Sequence, residues 1–352
     1  MRSSPESQRV YRGVLLGLGG IARNGHLPAF QSDPRVASRL KIVGIVDDVV
    51  TTPVDGIPLL SGPEQIAELG GGPIDFVDVC TPTSSHVALS LWALSQGYHV
   101  LCEKPVAVTR AEAAALAAAA KTARRVLVPC HQYRFNPVWR RVKGWLDEEL
   151  IGRWYLAEFR VYRLAADRGT DTSAVPWRGR RAEGRGGVLL DHGTHLIYEL
   201  LDVAGPPAAV RAWTGRLRHG AYDVEDTAQL LFDYPDRMAS MFLTWAGRRR
   251  ETEIRFLGER GSITWSGGTL TLERDGKTES FDHSAELDKA SYVKWFAELF
   301  HDFVATLDSG DCARQVADIA QVAAVLEDAY APPAPPAPPA PPGVATPELA
   351  LA

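Results

Sequence analysis

Residues 13–22 read Gly13-Val14-Leu15-Leu16-Gly17-Leu18-Gly19-Gly20-Ile21-Ala22, a short apolar run that breaks into a Gly-x-Gly-x-x-Ala loop. Helical spacing follows from about Ile21 to Phe30, so the loop is expected to join a strand to a helix. In that setting each residue type has a physical reason. Gly17 permits a tight turn, and Gly19 lets the backbone approach a pyrophosphate. Ala22 is small enough for close helix–strand packing, and the helix start around Gly20 and Ile21 turns its N–H groups toward an anion. A plain glycine turn is the alternative, because the pattern alone has little specificity.

Working outward, the chain continues with short apolar runs alternating with helical segments. The runs are Leu40–Val46, Phe76–Cys80, His99–Cys102 and Val126–Pro129. The helical segments are Ser85–Ser95 and an alanine-rich stretch opened by Thr109-Arg110-Ala111-Glu112, a capping box. This alternation predicts a parallel sheet covered on both faces. Asp47 lies 25 residues after Ala22 at the end of the second run, where a carboxylate accepts ribose hydroxyls. Asp48 follows it with no adjacent arginine, so the pair is expected to repel a 2′-phosphate and to favour NAD over NADP.

After residue 131 the rhythm changes to an amphipathic helix from Pro137, then strands and turns between Tyr155 and Phe281. Two helices, about Ser291–Leu307 and Arg314–Tyr330, close the folded part. The expected organisation is therefore a dinucleotide-binding domain over residues 11–131, a second domain over 132–330 and a tail over 331–352. Eight of the 24 prolines fall in residues 332–342, so the tail is expected to be disordered and polyproline-like, either a passive spacer or a proline-recognition ligand. A formal charge of −5 argues against nucleic acid or an anionic membrane as partner. The four cysteines form no paired motif, no apolar leader starts the chain, and no run of 18 apolar residues occurs. A reducing cytoplasm is the expected compartment.

Two segments carry candidate chemistry. Thr81-Pro82 to His86 and Glu103-Lys104-Pro105 each end a predicted strand, so both border the crevice where doubly wound sheets bind ligands. Lys104 would hydrogen-bond a substrate hydroxyl and stabilise an alkoxide; a surface lysine is the plainer alternative. In Gly186-Gly187 to His195, a helix would place Asp191 and His195 on one face, the carboxylate orienting a general acid/base imidazole. A metal is not expected, since no third ligand stands at a fixed spacing. Arg168, Arg178, Arg180, Arg181 and Arg185 precede this motif. They would suit a phosphorylated or nucleotide-linked sugar as substrate, or they form a solvated loop or oligomer contact. Tyr133, Arg134 and Asn136 lie at the crossing between the halves and are further pocket candidates.

The segments GLGGIA (17–22), VDVCTPTSSH (77–86), GYHVLCEKP (97–105), YRFNP (133–137), GGVLLDHGTHLI (186–197), VEDTA (224–228) and FLGERGSI (256–263) lie in order along residues 11–330. In these the chain resembles the glucose–fructose oxidoreductase/inositol dehydrogenase (Gfo/Idh/MocA) family. The resemblance implies an α/β protein: an N-terminal Rossmann domain, then an α/β domain with a large, mostly antiparallel open sheet that often forms the interface of homodimers or homotetramers. It implies hydride transfer between NAD(P) and a secondary alcohol of a sugar, cyclitol or related polyol. Lys104 matches the lysine that contacts substrate and cofactor. Asp191 and His195 match the acid and the proton-transferring histidine, and Thr81, Pro82 and His86 flank the nicotinamide side. Related readings are a glycosidase that recycles NAD and a non-catalytic NAD sensor. Thr83 stands where asparagine is common, and Arg185 where many members have a third glycine.

Overall fold

The computed structural model describes residues 9–50, 53–54, 56–286 and 289–332. Six strands form the first sheet: β1 (Tyr11–Leu16), β2 (Leu40–Val46), β3 (Leu59–Leu60), β4 (Phe76–Val79), β5 (His99–Cys102) and β6 (Leu127–Pro129). Their order is β3-β2-β1-β4-β5-β6, with every pair parallel. The apolar runs are unbroken because both faces are covered. Leu15 packs with Phe30 and Phe300 on one side, while Val14 and Leu16 pack with Leu94 and Leu116 on the other. The helices of this half are α1 (Leu27–Ser32), α2 (Pro34–Ala37), α3 (His86–Ser95) and α4 (Arg110–Ala123). Thr109 and Glu112 cap α4 reciprocally. A π-helical turn over Ala22–His26 precedes α1, and β3 is too short to leave a periodic signal.

The second half contains α5 (Pro137–Asp147), β7 (Trp154–Tyr162), α6 (Arg181–Gly184) and α7 (Thr194–Ala204). Seven strands follow: β8 (Ala209–Gly215), β9 (Thr227–Asp233), β10 (Met238–Thr244), β11 (Glu251–Gly258), β12 (Gly261–Ser266), β13 (Thr269–Arg274) and β14 (Lys277–Asp282). The helices α8 (Lys289–Ser309) and α9 (Ala313–Tyr330) end the series. The eight strands β7–β14 form one sheet, in the order β14-β13-β12-β11-β7-β10-β9-β8. Only β7 and β10 run parallel, so the sheet is mostly antiparallel. Phe159 faces Met241 and Ile254 across the ladder, and these inward residues share one core with α5, α7 and α9. The alternate residues face outward, and Trp213, Leu231 and Met238 are exposed there.

The C-terminal helices tie the two sheets together. Phe296, Phe300 and Phe303 of α8 lie in the core of the first sheet. Helix α9 serves both sides. Ile319 and Ala323 pack with α4, while Val322, Val325 and Leu326 join the second core. Beyond Ala331 and Pro332, the proline-rich tail lies outside the described residues. Among those residues, no helix is long and apolar enough to cross a membrane.

Candidate active site

The glycine loop leaves β1 with Gly17 at φ +92°, a conformation that excludes a Cβ, which would also meet Thr81 Cγ2 at 2.9 Å. Nothing lies within 4 Å of the corresponding position at Gly19, so a ligand can approach the bare backbone there. Gly20 is covered by Gly169, whose Cα would lie 3.2 Å from an added Cβ; the arginine-rich loop thus crosses the phosphate loop. Ala22 is fully buried. These features fit a dinucleotide pyrophosphate at Gly17–Ala22. Asp47 ends β2 beside the loop, accepting from Leu18 N at 2.7 Å and from Val49 N and Val50 N. A carboxylate has further lone pairs for ribose hydroxyls.

His26, on the turn after the loop, carries a role that the sequence reading did not notice. It is buried between two carboxylates, with Nδ1 2.7 Å from Asp78 Oδ2 and Nε2 3.0 Å from Glu103 Oε1. Burial alone would lower its pKa, but Asp78 and then Glu103 overcome that and lift it to about 9. The clamp therefore holds an imidazolium. Glu103 Oε2 accepts from Lys104 N at 3.1 Å, so the carboxylate secures the lysine's backbone from below. Cys130 also offers a ligand atom in this cluster, but both ring nitrogens of His26 already bond carboxylates. His86 bridges the two strand ends, with Nδ1 2.9 Å from Pro105 O and Nε2 2.9 Å from Thr81 O. Pro82 precedes the short helical turn Thr83–Ser85 that leads into α3.

Lys104 reaches across from β5 to the second half. Its Nζ donates to Asp191 O at 2.7 Å and lies 3.4 Å from Asp191 Oδ1. The same Oδ1 accepts from Arg178 Nε at 3.1 Å, and His192 Nδ1 lies 3.2 Å from Oδ2. Burial would raise the Asp191 carboxyl, but Arg178, Lys104 and His192 together hold it well below the usual carboxylate range.

The expected Asp191–His195 contact is not formed. His195 Nδ1 instead lies 2.8 Å from the Tyr198 hydroxyl. The Asp191 carboxylate is taken instead by Lys104, Arg178 and His192. A π-helical turn over Leu189–Gly193, closed by Thr194 N–H to Leu189 O, carries Asp191 and precedes α7. Tyr133 packs flat on the His195 ring at 4.1 Å, and His131 packs on Tyr198 at 4.0 Å. Burial, then the charge of Lys104, lowers the His195 pKa well below 6.5.

The paired glycines before this motif are packing requirements. A Cβ on Gly187 would sit 1.8 Å from Glu225 O, and Glu225 Oε1 accepts from Gly187 N at 2.8 Å. Tyr330, the last residue of α9, donates to the same oxygen at 2.7 Å. Glu225 lies in the VEDTA segment, so sequence resemblance marked it without revealing its task.

Of the substrate candidates, Tyr133 and Arg178 stand beside the cluster, and the others do not. Arg134 pairs with Asp318 and lies over the Tyr198 ring. Asn136 is buried as the N-cap of α5, accepting from Val138 N at 2.9 Å. Arg181 is exposed and turned toward Asp223. The five arginines do not converge. Arg168 bonds Ser173 O and Ala174 O, Arg180 bonds Glu183 and Val175 O, and Arg185 bonds Glu112. They pin the loop to its own carbonyls and to neighbouring acids.

Two family models match this chain. Residues 11–131 match the oxidoreductase family with an NAD-binding Rossmann fold, and residues 139–264 match the GFO/IDH/MocA C-terminal domain. An uncharacterised oxidoreductase of Escherichia coli, YdgJ, is 26% identical over 72% of this chain and 70% of its own. The 1,5-anhydro-D-fructose reductase of Ensifer adhaerens is 29% identical over 68% of this chain and 72% of its own. The solved structure of a levoglucosan dehydrogenase with NADH and levoglucosan shares the fold. Its TM-score is 0.73 at 21% identity, covering 91% of this chain and 96% of that one.

Proposed function

The chain belongs to the Gfo/Idh/MocA family of NAD-binding oxidoreductases, and on that premise we propose that it is an NAD-dependent dehydrogenase or ketoreductase acting on a secondary alcohol or ketone of a sugar or cyclitol. The observation that carries the reading is the meeting of Lys104 with Asp191, beside His195, at the carboxyl ends of parallel strands and next to an open glycine loop. A nicotinamide dinucleotide held by Gly17–Ala22 and Asp47 supplies the hydride acceptor in one direction and the donor in the other.

The protein's own task is then at the substrate oxygen. Lys104 and His195 both bear on it: an ammonium and an imidazole nitrogen stabilise charge that develops as the carbon–hydrogen bond breaks or forms. Asp191 holds the lysine in place, and Arg178 supplies a second cation beside it. Tyr133, packed on the His195 ring and backed by Trp295, holds the imidazole in place. The other arginines of the 168–185 loop bond within the protein, so Arg178 is the loop's proposed contact to the substrate, whether a free or a nucleotide-linked sugar. Asp47 and Asp48 support NAD over NADP, and the kinship with a keto-sugar reductase supports the substrate class. The outward face of the second sheet is proposed as a homo-oligomer contact.

The test follows nicotinamide absorbance while purified protein meets sugars, inositols and their keto forms with NAD(H) or NADP(H). Turnover with NAD is expected. Turnover that survives both Lys104→Met and His195→Ala undiminished would overturn the assignment.

A further inference from the structure

We infer that Tyr198 is a positioning residue that fixes His195 as the Nε2–H tautomer, so that the imidazole is a hydrogen-bond donor to the substrate oxygen while Lys104 carries the proton. The inference rests on the proposed function and divides the labour between its two groups.

The argument runs through the donors and acceptors around one hydroxyl. Tyr133 N–H donates to the Tyr198 oxygen at 3.1 Å, and the same oxygen lies 2.8 Å from His195 Nδ1. Tyr198 is fully buried, and its hydroxyl has no other partner among the described residues. Glu199, its neighbour on α7, is buried with both carboxyl oxygens unpartnered, so the phenol does not spend its hydrogen there. If Nδ1 carried the imidazole proton, the Tyr198 oxygen would receive two N–H groups and its own hydrogen would be stranded in the core. A buried donor left without an acceptor is strongly disfavoured. With Nδ1 bare, every group is satisfied: Tyr133 N–H to the phenol oxygen, and the phenol O–H to Nδ1. The ring proton then sits on Nε2, the nitrogen that has no protein partner among the described residues.

A neutral imidazole in this tautomer presents a proton, not a lone pair, to the substrate. The charged and titratable groups facing His195 are Lys104, Asp191, His192 and His131, with Tyr133 stacked on the ring. Burial and Lys104 both oppose an imidazolium. Asp191 pulls the other way but is committed to Lys104, Arg178 and His192. A second proton on His195 is therefore disfavoured, and the transferable proton falls to Lys104. In reduction, the carbonyl carbon gains the hydride while its oxygen gains one proton from the Lys104 ammonium, leaving the amine. In oxidation the amine takes the hydroxyl proton back as the hydride leaves carbon. Throughout, the His195 Nε2–H bonds the oxygen without changing its own protonation.

The experiment is nitrogen NMR of the full-length, histidine-labelled protein with NAD, the His195 signals being assigned by loss in His195→Gln. A pyridine-type Nδ1 and a pyrrole-type Nε2, unchanged from about pH 5.5 to 8, is the expected result. Tyr198→Phe should show both tautomers and a kcat lower by roughly tenfold, about the worth of one hydrogen bond. His195→Gln, which keeps an N–H donor, should retain more activity than His195→Ala and leave the pH profile of kcat/KM unchanged. A pyrrole-type Nδ1 in the wild type, or loss of a titrating limb in His195→Gln, overturns the inference. Absence of turnover with every polyol would instead refute the proposed function, and the NMR would still report the tautomer.

Discussion

Replacing His26 by glutamine should change both the stability of the fold and its pH dependence, and the pH dependence is the diagnostic part. In the folded protein the imidazole pKa is lifted from 6.5 to about 9 by Asp78 and Glu103, against the opposing effect of burial. A group whose folded pKa exceeds its unfolded value binds the proton more tightly in the native state. Its contribution is therefore full below the unfolded value of 6.5 and is lost as pH rises through about 9. At about 1.4 kcal/mol per pH unit, the rise corresponds to about 3 kcal/mol. Urea unfolding of the cofactor-free wild type and of His26→Gln, across this window, measures the difference. Gln also loses ring packing against Phe296 and Phe300, centred 4.4 and 5.3 Å away, but that penalty does not vary with pH. The wild type should therefore be the more stable protein at pH 6, with its advantage shrinking by about 3 kcal/mol toward alkaline pH. A difference that stays constant across the window would refute an imidazolium between the two carboxylates.

Further outcomes are expected elsewhere. Gly187→Ala drives a Cβ to within 1.8 Å of Glu225 O, so at least ~3 kcal/mol of stability and most activity should be lost, read by thermal unfolding and turnover. Asp47→Ser should weaken NAD binding about tenfold and narrow the preference over NADP, measured by calorimetric titration of both dinucleotides. Leu231→Glu, on the exposed face of the second sheet, should shift the assembly toward a smaller species in light scattering; an unchanged mass would place the contact elsewhere.

The first sheet was readable because burial on both faces writes strands as unbroken apolar runs, and because the loop after Leu16 needs glycine where it turns and where a ligand approaches. The places that sequence hid have physical causes. Leu59–Leu60 forms only a two-residue edge strand, too short for any period. Strands β13 and β14 carry mostly polar residues on their free face, so they resemble turns. Helix α8 looks like part of the second half by position, and only the docked side chains of Phe296, Phe300 and Phe303 reveal that it completes the first core. His26 was invisible for a different reason. A lone histidine on a helix becomes informative only when Asp78 and Glu103 are known to converge on it from separate strands.

In the candidate site, the residue types were legible but their partnerships were not. Spacing assigned Asp191 to His195, but Lys104, Arg178 and His192 converge on the carboxylate, and spacing along one helix cannot show them. The result is a separation of charge. One side holds Asp191 with Lys104 and Arg178, so its carboxylate is spent on cations. The other holds His195, its Nδ1 on the Tyr198 hydroxyl and its ring against Tyr133. A carboxylate bonded to the imidazole would have favoured its protonated form; here burial and the charge of Lys104 outweigh the pull of Asp191 and favour the neutral one. These partnerships, more than the spacing of the residues, set which of the two groups at the substrate oxygen is charged, and with it which can give up a proton.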